Sequence, residues 1–242
     1  MNSLSWSDLA DALTTALELT TPPIAISFAA DIPEGIEAFS GPKPPPADDG
    51  RTGPVPAGCV FWTKAIDRSF STVAADHANC SVGTLVHGFA ALEDVAGNSD
   101  VAALLGSGWV TMDQVPEIPT VAERSGSVTY GPLAETSRAP DVVLVRLSAR
   151  QLMLMAEAVP DLQIGGKPQC RIVALAKERG EVAASLGCTL SRTRTGQSGD
   201  EMTCAIPGGR LAEVVSAVEE TGRIDAVAES YAATDISRFD AI

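Results

Sequence analysis

Histidine is almost missing from this chain: His77 and His87 are the only two in 242 residues. No H-E-x-x-H occurs, which excludes a zinc-protease helix. Basic residues are short as well. Seventeen Lys and Arg against 31 Asp and Glu leave a formal charge of −14. That argues against non-specific nucleic-acid binding, which needs a basic surface to displace counterions, and against binding to an anionic membrane. The acidity serves solubility. Long apolar runs are lacking: no segment approaches 18 uninterrupted apolar residues, so no membrane span is expected. The first residues, MNSLSWSDLADALTTALELTT, carry neither the basic region nor the apolar run of a signal peptide, and a cytoplasmic location is expected. There is no C-x-x-C, which removes the usual spacing of zinc ribbons and thioredoxin-type sites. No G-x-G-x-x-G follows a strand and no G-x-S-x-G is present. IGGKP (164–168) lacks phosphate-loop spacing, so Lys167 says little.

What the chain does have is apolar bulk, 45% of its residues, enough for a substantial core. We read 1–242 as a single domain. Residues 3–19 predict an amphipathic helix with Trp6, Leu9, Leu13, Ala16 and Leu17 on one face and a Ser5/Asp8 capping pair. PPIAISFA (22–29) predicts a buried strand. Residues 31–57, rich in Pro, Gly and Asp, predict a loop, either a disordered insertion or a lid. Helices are expected at 59–66, 80–92, 98–108, 149–158, 170–178, from about 209, and at 223–238. Strands are expected at 69–76, 127–133, 141–147, 180–188 and 201–208. The alternation predicts an α/β or α+β fold, a mixed β-sheet layered with helices.

Five cysteines are present, Cys59, Cys80, Cys170, Cys188 and Cys204. An odd, widely spaced set in a chain of this kind does not suggest a disulfide framework. Four of them fall at predicted element ends: Cys59, Cys80 and Cys170 open helices, and Cys188 closes a strand. A helix N-terminus favours the thiolate, the form that binds iron or zinc. Four such positions could hold an iron–sulfur cluster or a single metal ion. Free cysteine also packs as a small hydrophobe, and Cys204, alternating inside MTCAI, reads as core. His77, between Asp76 and Asn79, suits a ligand, a general base tuned by Asp76, or a hydrogen-bonded structural residue. His87 reads as structural. GCTLSRTRTG (187–196) offers Ser191, Arg192 and Arg194 in a basic turn that could receive an anion or pair with surface acids.

Several segments together resemble the prokaryotic family known as Domain of Unknown Function 169, or ArCR. They are TPPIAISF, GCVFW, DHANCSVG, YGPL, PDVVLV followed by Gln151, then Cys170, SLGC with SR close behind, and EMTCAIPGGRL, in family order from about residue 20 to 220. The family pattern has cysteines at the positions of Cys59, Cys80, Cys170 and Cys188 but not characteristically at Cys204. Its frequency in anaerobes and archaea implies an oxygen-sensitive cofactor bound by thiolates. DHANC is one residue longer than the HAC form of many members.

The expectation is a redox or metal-binding protein. In it Cys59, Cys80, Cys170 and Cys188 hold an iron–sulfur cluster or another thiolate-bound metal, and Arg192 or His77 orients a small substrate. Two alternatives stay open: a metal-free protein binding a small anionic ligand, and a thiol enzyme with Cys80 as nucleophile and His77 as base. Expected partners are a small molecule or a redox partner, and self-association is left open.

Overall fold

The runs densest in β-branched residues form the middle of one seven-stranded sheet. The structure is a computed structural model and describes residues 4–41 and 58–239. Its strands are β1 (Ile24–Ala29), β2 (Phe70–Thr72), β3 (Ser127–Pro132), β4 (Val142–Leu147), β5 (Gln163–Gly165), β6 (Ala183–Ser185) and β7 (Met202–Pro207). Their order is β2-β3-β1-β4-β7-β6-β5, antiparallel throughout except for the parallel edge pair β5–β6. Helices α1 (Trp6–Leu17), α2 (Gly58–Lys64), α3 (Ala74–His77), α4 (Ser81–Val86), α5 (Leu92–Val95), α6 (Ser99–Gly106), α7 (Ala149–Ala158), α8 (Arg171–Arg179), α9 (Thr189–Thr195) and α10 (Leu211–Phe239) complete it. The fold is the mixed sheet layered with helices that the alternation implies. Among the described residues no helix is long and apolar enough to cross a membrane.

Side chains alternate across a strand, so each strand feeds two cores. On β4, Val143, Val145 and Leu147 join Leu9, Leu13 and Leu17 of α1, Leu154 and Met155 of α7, and Leu211, Val214, Val215 and Val218 of α10. Val142 and Leu144 face the other way, toward Phe61 and Trp62 of α2 and Ile172, Val173 and Leu175 of α8. A fully buried Leu or Val contributes roughly 1.5–3 kcal/mol. Both faces are therefore real cores. The predicted Ser5/Asp8 capping box forms, with the Asp8 N–H donating to Ser5 Oγ at 3.1 Å and Asp8 Oδ2 accepting from the Ser5 N–H at 2.9 Å. A cap of this kind is worth about 1 kcal/mol.

Four local expectations are corrected. The strand expected over 69–76 stops at Thr72, and α3 follows at once, its first turn tied by the Asp76 carboxylate accepting from the Val73 N–H at 2.9 Å. The helix expected over 80–92 ends at Val86, with Gly88 at φ +72° turning the chain. The two terminal helices are one: α10 runs through Gly222 without a break, since one glycine costs a helix only about 1 kcal/mol. The loop at 31–57 is no free insertion over its first part. The Phe39 N–H donates to the Ser71 carbonyl at 2.7 Å, and the Phe39 ring packs 5.0 Å from Phe61 and 5.5 Å from Phe70. Residues 42–57 lie outside the described residues.

Candidate functional site

Cys59, Cys80, Cys170 and Cys188 line one small cavity of about 30 Å³. Each comes from the start of a different helix. Cys59 is the second residue of α2, and Cys80, Cys170 and Cys188 immediately precede α4, α8 and α9. Helix α2 packs against α4 and α9, and α4 packs against α8, so the four starts converge. All five cysteines are free thiols. Cys204 is fully buried in the core on the opposite face of the sheet, beside Val145 and Ala184. Its role is packing, as its alternation implied, and burial pushes its thiol up to about 12.

Cys80, Cys170 and Cys188 are held in place by their neighbours. Ser81, next to Cys80, is pinned to α6: its hydroxyl donates to Asp100 Oδ1 at 2.6 Å and its N–H to Asp100 Oδ2 at 2.9 Å. The Thr84 hydroxyl reaches the carbonyls of Cys80 and His77, both at 3.0 Å. Gln169, beside Cys170, is buried and bonds Gln197 at 3.4 Å, which in turn donates to the Glu201 carbonyl at 3.1 Å. Arg192 secures the turn that carries Cys188. Its guanidinium donates to the carbonyls of Leu186 and Glu201, each at 2.8 Å, and of Ser198. That approach needs Gly187: a Cβ there would meet Arg192 Nη2 at 2.5 Å, and the φ of +109° strains any other residue.

Arg192 therefore faces backbone, not the cavity. The arginine on the cavity wall is Arg194, with Gly58, Trp109, Gln169 and Ser191. Its burial tends to lower its pKa, but the thiols of Cys80, Cys59 and Cys188 outweigh this and raise it. Burial also raises the cysteines, Cys59 to about 11 and Cys170 well above the usual thiol value, and the neighbouring sulfurs add to the rise. The Ser191 hydroxyl offsets part of it at Cys59 without forming a well-made hydrogen bond. These two thiols are protonated at neutral pH. A cation bound among them would displace the protons and offset the repulsion between the thiolates so formed. Among the described residues no three His, Cys, Asp or Glu side chains are set as they would be around a metal ion.

His77 is fully buried behind Gly58, outside the cavity lining. A Cβ on Gly58 would make ordinary contact with His77 Nδ1 at 3.5 Å and would press on the His87 ring, 3.3 Å from its Cε1. The Thr72 hydroxyl donates to the Val128 carbonyl and so accepts from His77 Nε2–H at 2.8 Å. Nδ1 has no hydrogen-bond partner, and the Cys80–His77 bond that a thiol enzyme would need is not made. His87 Nδ1–H donates to the Gly83 carbonyl at 2.8 Å, leaving Nε2 unpartnered. Burial holds both rings neutral. His77 is lowered further by His87, and His87 falls to about 4 although its bond to Gly83 opposes the shift.

The model of the family described as Uncharacterised ArCR, Domain of Unknown Function 169, matches residues 12–217. No curated protein and no solved structure matches the chain.

Proposed function

We propose a function for a chain that belongs to the Domain of Unknown Function 169 (ArCR) family: it holds an iron–sulfur cluster, or another thiolate-bound metal, through Cys59, Cys80, Cys170 and Cys188. One observation carries this reading. Four cysteines distant in sequence line a single cavity, while the fifth sits alone in the opposite core. Cysteines placed only as hydrophobes would scatter over both cores. The donor set suits soft, thiolate-seeking metals.

When bound, such a centre supplies electron transfer, or Lewis acidity if one position stays open. The rest falls to the chain. Arg194 places a positive charge against an anionic sulfur cage. Asp100, through Ser81, fixes Cys80, and Arg192 fixes Cys188. Trp109 and Leu190 add apolar surface to the cavity wall. The cavity of about 30 Å³, close to the liquid volume of one water, is the size of a single ion, and a cluster would require the four helix starts to move apart.

Anaerobic purification followed by iron, zinc and acid-labile sulfide analysis tests the reading. Iron and sulfide in equal amounts with a broad visible absorbance support a cluster, and one zinc per chain supports the single ion. A folded protein that takes up neither, even after anaerobic reconstitution, removes both.

A further inference from the structure

A second cavity, of about 190 Å³, abuts the cysteine cavity and shares Trp109 and Pro168 with it. Its charged wall is Lys167, Arg171 and Glu117, with Gln114 beside them. Two cations against one carboxylate leave one excess positive charge, on a chain whose formal charge is −14. Lys167 is engaged: its ammonium lies 5.0 Å from the Trp109 ring centroid and donates to the Trp109 carbonyl. Arg171 is not. Its Nε is buried without a hydrogen-bond partner, and its guanidinium enters no ion pair among the described residues. An unpaired buried donor is costly, and acids are abundant in this chain. The planar fork of an arginine matches a carboxylate in two parallel bonds.

We propose that this cavity binds the carboxylate of a small organic monoanion, and that the Trp109–Pro168 wall leaves the rest of that molecule beside the four cysteines. Only the second half rests on the metal-centre reading. A water occupies about 30 Å³ of liquid, so the cavity suits a ligand of about six non-hydrogen atoms. The single excess charge matches a monoanion, and Glu117 disfavours the second charge of a phosphate.

The probe is butyrate, titrated into the full chain and followed by calorimetry and tryptophan fluorescence, with butyramide and inorganic phosphate as comparisons. Saturable butyrate binding is expected, with quenching that disappears in Trp109→Phe and no response to butyramide. Arg171→Gln weakens binding by more than about tenfold, the loss expected for hydrogen bonds to a charged group. Glu117→Gln, at an exposed position that does not threaten folding, tightens butyrate and lets phosphate bind. A purely structural role for these residues would not give that gain. Non-saturating butyrate, an equal response to butyramide, or wild-type binding by Arg171→Gln overturns the proposal. Tighter phosphate than butyrate in the wild type overturns the carboxylate assignment. Repeating the titration on metal-free protein separates the two readings. Butyrate binding in a chain that never captures metal sinks the metal centre and leaves this site standing. A metal-loaded chain indifferent to butyrate does the reverse.

Discussion

The two faces of the sheet use one residue type in opposite ways. On the face covered by α1, α7 and α10, Cys204 is a small apolar side chain among Val145, Ala184 and Ile206. On the other face, Cys59, Cys80, Cys170 and Cys188 meet at the starts of four helices, with Arg194 and Ser191 beside them and His77 and His87 buried behind Gly58. The first face is a continuous apolar seam under long helices. The second is built from short helices and carries most of the buried polar groups, several of them held by specific bonds such as Ser81–Asp100 and His77–Thr72. Apolar packing supports both sides of the sheet, but the candidate chemistry lies on one side only, and the strands that separate the sides belong to both.

The sharpest way to break this comparison is to remove one cysteine from each face. Cys80→Ala is expected to lose essentially all bound metal, measured by elemental analysis, while its circular dichroism stays that of a folded chain. Cys204→Ala is expected to keep full metal content. Equal metal loss in both would erase the distinction. Next in size, Leu13→Ala on the apolar face should cost about 2–5 kcal/mol in denaturant unfolding, from lost burial and the cavity left behind, with metal content per folded chain unchanged.

Acid should act through the polar face. Burial holds His87 at about 4 in the folded chain, against about 6.5 for an ordinary histidine. The unfolded chain therefore takes up a proton first. The stability tied to the neutral ring is present above pH 6.5 and is lost as pH falls toward 4, by about 3 kcal/mol at one unit per 1.36 kcal/mol. Equilibrium unfolding across that range checks it, and His87→Gln should flatten the dependence. The smallest effect separates two neighbouring arginines. Arg192→Gln should cost about 0.5–1.5 kcal/mol by losing its bonds to the carbonyls of Leu186, Ser198 and Glu201, which lie near the surface. Arg194→Gln should leave the denaturation midpoint nearly unchanged and shift only the properties of the bound centre.

Much of this was legible in the chain, for physical reasons. The β-branched runs at 141–147 and 201–208 are strands because such side chains fill two-sided cores, and α7 covers the helix expected at 149–158, with Ser148 capping it. Cys204 could be told from the others because alternation fixes the face of a strand residue. The site arginine could not be read as easily. Residues 189–195 look like a turn, and in a turn Arg192 is as well placed as Arg194. They form α9, which puts Ser191 and Arg194 three apart on adjoining turns at the cavity while Arg192 reaches back to carbonyls. Trp109 and Gln169 carry no sequence signal, since they reach the cavity through loops whose course depends on the whole fold. His77 misled because its three-residue spacing from Cys80 suggests a facing pair, whereas the chain turns between them and buries the ring against Phe61 and Phe89.

The placement of the four donors also bears on how a cell would make this protein. Cys170 follows Cys80 by 90 residues, and β3, β4 and β5 lie between them in the chain. An ion seized by the early pair alone would sit in a half-built ring open to oxygen and to competing ligands. Under the proposed metal-centre reading, loading after release, onto a finished scaffold, is the order of events that this spacing favours, and a dedicated delivery step would serve this chain more than one whose cysteines are neighbours.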